Sequence, residues 1–385
     1  MFRCVTEIRF EQVQKNGDGR NKSFVFDFVN EFEANDSWVD LTNQCNITFP
    51  KNIYVRDANN NLFPLGGTTT DKQLKNLFQR GDKVTVSFGY VYYESGNEIV
   101  DVSQIFTGYI SLVTSKKPIV LECEDNMWLL KQIPCKPQTW SKDKTVEDLM
   151  KSLLSGTNFT VNALTKTTVG DLVIQNESVA QLLARLRHDF HLESYFSGNE
   201  LRIGSQVYIE SEAKTHYFVF QKNIISDDLE YQLKDDVKLS VVCESINTKQ
   251  SQQRNKKGQY KTQDERLSVL VYYDSDGIAR YEEKKAGKDF PPNLEGERRK
   301  LFFPNVTSAA TLAQYGIDEM KKFYYSGFKG KFTTFAIPFV KMGDNVKIHD
   351  PLLPDRDGTY KVKGVKYTGG IFGHRQIIEL HYIMK

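Results

Sequence analysis

One strand-and-turn pattern is written twice in this chain. Arg80 to Val113 reads RGDKVTVSFGY…IFTGYISLV, and Lys341 to Gly370 reads KMGDNVKIHDPLLPDRDGTYKVKGVKYTGG. In each, a Gly-Asp turn (Gly81-Asp82; Gly343-Asp344) launches an alternating strand, KVTVSF or NVKIHD. A glycine then leads into a second strand, Gly108-Tyr109-Ile110 or Gly358-Thr359-Tyr360, and an apolar run, PIVLECED or RQIIELHYI, closes each copy. Alternation at period two between polar turns is the signature of half-buried β-strand, and its recurrence points to a repeated structural unit. The spacing differs, with Gly81 to Gly108 longer than Gly343 to Gly358; the difference falls in a loop, where added length costs little. Gly81, Asp82, Gly108, Gly343, Asp344 and Gly358 are therefore the candidate site residues, as structural turns of two duplicated β-units.

The rest of the chain arranges itself around this repeat. Residues 1–134 read as β almost throughout, with SFVFDFVNEFE taken as one strand carrying Phe24, Phe26 and Phe28 on one face. NMWLLKQ reads as a helical turn closing that unit. In 135–211 the period changes to that of amphipathic helix. Val146, Leu149, Met150 and Leu153 form one stripe behind an N-cap at Thr145, with Gly156 as the stop. Val179, Leu182, Leu183, Leu186 and Phe190 form another, behind a Ser178/Gln181 capping box. A hairpin turning at Ser197-Gly198-Asn199 follows, so this middle unit is small and α+β. Residues 212–385 return to strands, with an inserted region at about 249–304. Within it, the polar, basic stretch 249–261 reads as a mobile loop or hairpin tip, and Asp276-Gly277 as a hairpin turn. A helix after Pro304, capped by Thr307 or Ser308, carries Ala313, Ile317, Met320 and Tyr324. The expected fold class is mainly β with an α+β insert: two similar β-barrels flanking a small α+β domain.

Chemistry is thin. Net charge is +2, too small for a field that gathers nucleic acid or anionic membrane. Cys4, Cys45, Cys123, Cys135 and Cys243 are scattered and odd in number, which suits a reducing cytoplasm and neither a disulfide framework nor a zinc site. The N-terminus alternates like a strand and lacks a signal peptide's apolar core, and no stretch is apolar enough to span a bilayer. His188 and His191 form an HxxH without the glutamate of a zinc protease, while DSDG and DRDG lack the glutamate that completes a calcium loop. Neither a nucleophile elbow, a P-loop nor a dinucleotide fingerprint occurs. No catalytic residue, metal ligand or cofactor is expected, and no small-molecule substrate. Two other classes stay open. One is a carbohydrate-binding or carbohydrate-active β-protein using exposed Trp38, Trp128 and Trp140 with Glu122 and Glu124 on one strand face. The other is a scaffold touching nucleic acid through 249–261, although that run has only Tyr260 for stacking and no specific binding is expected.

A succession of three segments resembles one family. RGDKVTV…FTGYI…IVLECED, then SVAQLLARLRHDFHLESYFSGNELRIGS, then MGDNVKIHD…GTYKVKGVKYTGG…RQIIELHYI resemble, in order, the parts of phage baseplate hub proteins. These are also called late control protein D or tail hub proteins, and the same fold forms the base of type VI secretion spikes. The resemblance implies a homotrimer whose duplicated barrels make a ring of pseudo-sixfold symmetry joining the tail tube to a central spike. It implies contacts with tail tube protein, a separate spike protein, tape measure and other baseplate proteins, in a virion tail or phage-like particle assembled in the host cytoplasm. It offers no catalytic residues.

Overall fold

Polar turns and alternating strands dictate a chain made mostly of antiparallel ladders, and a computed structural model shows how they connect. It describes residues 3–13, 20–51, 53–56, 62–64, 77–114, 118–141, 144–163, 167–169, 171–205, 213–254, 260–285, 288–291, 296–303 and 306–384. The first part holds β1 (Arg3–Glu11), β2 (Ser23–Phe26), β3 (Glu31–Ser37), β4 (Gln44–Thr48), β5 (Tyr54–Arg56), β6 (Leu62–Pro64), β7 (Lys83–Glu94), β8 (Asn97–Val113), β9 (Val120–Glu124) and the short α1 (Met127–Leu130). The middle part holds β10 (Gln138–Trp140), α2 (Val146–Leu153), β11 (Thr160–Ala163), β12 (Leu172–Ile174), α3 (Val179–Phe190), β13 (Leu192–Ser197) and β14 (Glu200–Ser205). The last part holds β15 (Thr215–Val219), β16 (Ile224–Gln232), β17 (Leu239–Arg254), β18 (Tyr260–Tyr273), β19 (Ala279–Glu283), β20 (Glu297–Phe302), α4 (Ala309–Phe323), β21 (Gly327–Thr334), β22 (Asn345–His349), β23 (Gly358–Gly370) and β24 (Arg375–Ile383). The fold is mainly β with an α+β portion.

The two helices read from period 3.6 form behind their capping boxes. Thr145 Oγ1 accepts from the Asp148 N–H while Asp148 accepts from the Thr145 N–H, both at 3.1 Å. Ser178 and Gln181 exchange the same pair of bonds at 3.3 and 2.8 Å. Each cap satisfies otherwise orphaned donors and contributes about 1 kcal/mol. The apolar stripe of α3 then buries Val179, Leu182, Leu183, Leu186 and Phe190 against β13 and β14. Ser308 caps α4, whose buried face is Leu312, Ala313, Gly316 and Met320, packed on β17 and β18.

One expectation is corrected. SFVFDFVNEFE is two strands, because the chain turns at 27–30, where the Asn30 N–H donates to Thr48 O. Phe24 and Phe26 pack on the core and Phe28 is left 53% exposed. The basic stretch 249–261, read as a mobile loop or hairpin tip, lies on the β17–β18 hairpin, with Gln250 opposite Thr262 and Arg254 opposite Tyr260. Residues 255–259 lie outside the described residues.

The strands of the two outer parts of the chain are joined to one another. Their strands join one 13-stranded sheet in the order β16-β21-β24-β23-β3-β4-β9-β8-β7-β1-β2, with β22 pairing β23 and β15 pairing β22. The joint is β23 against β3, from Gly364 opposite Ser37 to Gly370 opposite Glu31. The sheet also rolls over. Phe88 of β7 lies four strands from β3 along the ladder, yet its ring centroid is 5.9 Å from Phe32 and 5.6 Å from Tyr367. One continuous core results, containing Phe10, Phe32, Phe88, Tyr360, Tyr367 and Phe332 together; burying each aromatic contributes about 1.5–3 kcal/mol.

Candidate functional site

The paired turns form two corners built from the same set of bonds. In the first, Gly81 adopts φ +94° and its N–H donates to Ile110 O at 2.7 Å, while the Ile110 N–H donates to Asp82 O at 2.9 Å. In the second, Gly343 adopts φ +84° and its N–H donates to Val362 O at 3.1 Å, while the Val362 N–H donates to Asp344 O at 2.9 Å. Each aspartate closes its own turn. The Asp82 N–H donates to Gln79 O and the Asp344 N–H to Lys341 O. In return Asp82 Oδ2 accepts from the Gln79 N–H at 2.8 Å and Asp344 Oδ2 from the Lys341 N–H at 3.0 Å. A left-handed φ at both glycines explains the residue type, since a Cβ there is strained.

Both carboxylates also reach a third segment. Asp82 Oδ1 accepts from the Val13 N–H, just past β1, and Asp344 Oδ1 from the Lys214 N–H, just before β15, each at 3.1 Å. A basic side chain completes each corner. Arg20 donates to Asp82 from both terminal nitrogens, at 3.0 and 2.6 Å, with both side chains almost fully buried. His216 Nε2 lies 2.9 Å from Asp344 Oδ2. Burial pushes the Asp344 carboxyl up, but the bonds from His216, Lys341 and Lys214 outweigh it and hold the group below its ordinary value. Neither Arg20 nor His216 carries a signal in the sequence, since each meets its aspartate only across the fold, 62 and 128 positions away. The corners differ in strand direction as well: β1 runs antiparallel to β7, whereas β15 runs parallel to β22.

The equivalence extends along the ladders. Val84 opposes Gly108 and Val86 opposes Phe106; Val346 opposes Tyr360 and Ile348 opposes Gly358. A β-bulge falls at the same place in each, between Ile110 and Leu112 and between Val362 and Gly364. Beyond it Leu112 opposes Glu122 as Gly364 opposes Glu379, and Val113 opposes Leu121 as Val365 opposes Ile378. Gly108 and Gly358 therefore do not match one another, and Gly108 sits within β8, away from any turn. Gly108 takes the place of Tyr360, and Gly358 that of Phe106. A Cβ on Gly108 would lie 2.7 Å from the Phe106 ring, and one on Gly358 2.6 Å from the Tyr360 hydroxyl. Each unit keeps one aromatic beside one glycine on the same strand face, with the order reversed.

His374, at the β23–β24 tip, stitches the joint between units. Its Nδ1 lies 2.9 Å from Gly89 O, so that nitrogen carries the proton and donates. Nε2, at 2.9 Å from Thr6 Oγ1, is left to accept, and the Tyr90 hydroxyl donates to His374 O at 3.1 Å. Burial lowers the imidazole pKa, in keeping with a neutral ring. The other candidate groups do not converge. His188 is exposed beside Asp189, and His191 is the left-handed cap of α3. Glu124 pairs with Lys131. Trp38 and Trp140 are core residues, and Trp128 stacks on Tyr109, so the expected exposed tryptophan face is not formed. Among the described residues no group of three or more His, Cys, Asp or Glu side chains is placed to hold a metal ion, and no helix is long and apolar enough to cross a membrane.

No protein-family model matches this sequence, and no curated protein matches it. Solved structures do. A tail protein from Neisseria meningitidis MC58 is similar at TM-score 0.54 and 12% identity, over 98% of this chain and 96% of that one. The 43 kDa tail protein of prophage MuSo2 from Shewanella oneidensis is similar at TM-score 0.53 and 12% identity, over 98% of both chains. A chain of the lidless PdpA–VgrG complex is similar at TM-score 0.50 and 10% identity, over 99% of this chain and 65% of that one. The resemblance read from the sequence thus holds at the level of the fold: the chain is built on the fold of phage tail proteins.

Proposed function

We propose that the chain is the structural, non-enzymatic hub of a phage-like tail or contractile injection particle. Three copies would form a ring in which two like units per chain supply six positions, one face receiving the tail tube and the other a separate central spike. The observation that carries this reading is the doubled corner: the same turn, the same carboxylate bonds and the same bulge occur twice in one chain. A chain holding two near-equivalent units is suited to meet a sixfold partner with half of its contacts and a threefold partner with the whole. Residues 1–134 and 212–385 would be the two tube-like units, 135–211 the α+β part, and 249–304 an insertion. The fold shared with tail proteins supports the setting, a virion tail assembled in a host cytoplasm. Sedimentation equilibrium of the purified chain tests the reading: a species of three times 44.3 kDa is expected, and a strict monomer at every concentration contradicts it.

A further inference from the structure

The sequence scatters its cysteines, but the fold sets two of them face to face. Cys45 of β4 lies directly opposite Cys123 of β9, in an unbroken antiparallel register from Gln44–Glu124 to Thr48–Val120. Both side chains sit in the core, 0% and 1% exposed, while Gln44, Asn46 and Glu122 at alternate positions are exposed. Backbone bonds on either side fix the type of pair. The Asp125 N–H donates to Asn43 O and the Phe49 N–H to Ile119 O. Every second pair between these, Cys45–Cys123 included, is therefore hydrogen-bonded, with Cα atoms about 5.5 Å apart. That lies within the roughly 4.4–6.8 Å that a disulfide spans. The Cβ atoms of such a pair stand about 5–5.5 Å apart, wider than the roughly 3.5–4.5 Å of a disulfide, so a bridge must draw β4 and β9 together and carries strain. The repeat does not demand this pair. Leu121 and Ile47 oppose one another as Ile378 and Phe332 do, and two residues along, Gly330 and Leu380 stand where Cys45 and Cys123 do.

We infer that Cys45 and Cys123 are a redox-sensitive pair that closes into a cross-strand disulfide when a small-molecule disulfide reaches it. The bridge latches β9 to β4 where the chain leaves the first unit, since β9 runs straight into Asp125, whose Oδ2 accepts from the Asn43 N–H at 3.1 Å, and then into α1. The inference does not rest on the ring reading. In the closed sheet, burial pushes both thiols well above their ordinary range, and the neighbouring Cys123 sulfur adds to this at Cys45. Both therefore stay protonated and unreactive until the ladder opens locally. One thiol then gives its proton to water, and its thiolate attacks a sulfur of the small disulfide and expels a thiolate. The second cysteine, deprotonated in turn, attacks the first cysteine's sulfur in the mixed disulfide and releases the other half. The protein gives up two protons and two electrons, and the oxidant leaves as two thiols. A strained bridge is readily reduced, which makes the latch reversible.

Thiol mapping of the full chain tests this, in a Cys4→Ser background that removes the exposed thiol. Incubated with oxidised glutathione in urea below the unfolding transition, then denatured and alkylated, the protein should lose two of its four remaining thiols. Peptide mapping should find Cys45 linked to Cys123, with Cys135 and Cys243 alkylated, and dithiothreitol should return all four. The link should form faster as urea rises, because opening gates the reaction. The oxidised chain should unfold at a higher urea midpoint than the reduced chain, since the bridge closes a long loop. Cys123→Ala should show no such oxidation-dependent shift. Four alkylated thiols after oxidation, glutathione left on Cys45 or Cys123, a rate indifferent to urea, or a midpoint that does not rise overturns the inference.

Discussion

Removing the carboxylate from each corner in turn should cost unequal amounts, although the backbone bonds are the same. Asp82→Ala strips the Val13 and Gln79 N–H groups of their acceptor and leaves the Arg20 guanidinium, 4% exposed, without its carboxylate. Breaking a buried ion pair from one side costs about 3–5 kcal/mol, because an uncompensated charge stays behind. Asp344→Ala strips the Lys214 and Lys341 N–H groups and His216. An imidazole can shed its proton, so no charge is stranded, and a cost of about 2–3 kcal/mol follows from the lost donors' partners. Urea unfolding of the two variants beside wild type should give a gap of about 2 kcal/mol, read from midpoints at constant slope. The pH dependence has a fixed sign. Asp344 is depressed in the folded state, so its contribution is present above the ordinary aspartate value, about 3.9, and lost as pH falls through the lower folded value. Wild type and Asp344→Ala should converge in stability there. Equal costs for the two variants, or a gap that favours Asp82→Ala, would refute the assignment of Arg20 and His216 as unequal partners.

Three further outcomes are expected. Gly343→Ala, in open space at φ +84°, should cost about 1–2 kcal/mol by strain alone, whereas Gly108→Ala drives a methyl into Glu124 O and the Phe106 ring and should prevent normal folding; thermal melts and soluble yield distinguish them. His374→Ala should cost about 2–4 kcal/mol and raise amide exchange first in β3 and β23, since the ring ties their joint to Thr6 and Gly89. Burial pushes the Asp125 carboxyl up to about 7 against the bonds it accepts from Asn43 and Met127. Its contribution is therefore fully present below the ordinary aspartate value and lost as pH rises towards 7, and Asp125→Asn should flatten that decline in a pH series of urea midpoints.

The repeat was legible because a Gly-Asp turn is local: a left-handed glycine and a carboxylate that bonds its own turn lie within four residues. Helix starts were legible for the same reason, as the Thr145 and Ser178 capping boxes show. What escaped the sequence is long-range. Arg20 and His216 take on meaning only when the fold brings them to Asp82 and Asp344. Matching glycine to glycine misaligned the second strands, because the steric demand falls on a glycine–aromatic pair that can be satisfied in either order. The β23–β3 joint was hidden too, since two sheets that merge leave no mark in the alternation of either. Buried Trp38 and Trp140 show the limit of composition, which counts aromatic rings without telling which way they face.

Electron microscopy of the purified assembly viewed down its axis tests the central claim most directly. The account predicts a hole surrounded by six lobes in two alternating kinds, related by threefold symmetry, one kind from each half of the chain. Particles without a hole, or with lobes that fail to alternate, would contradict it.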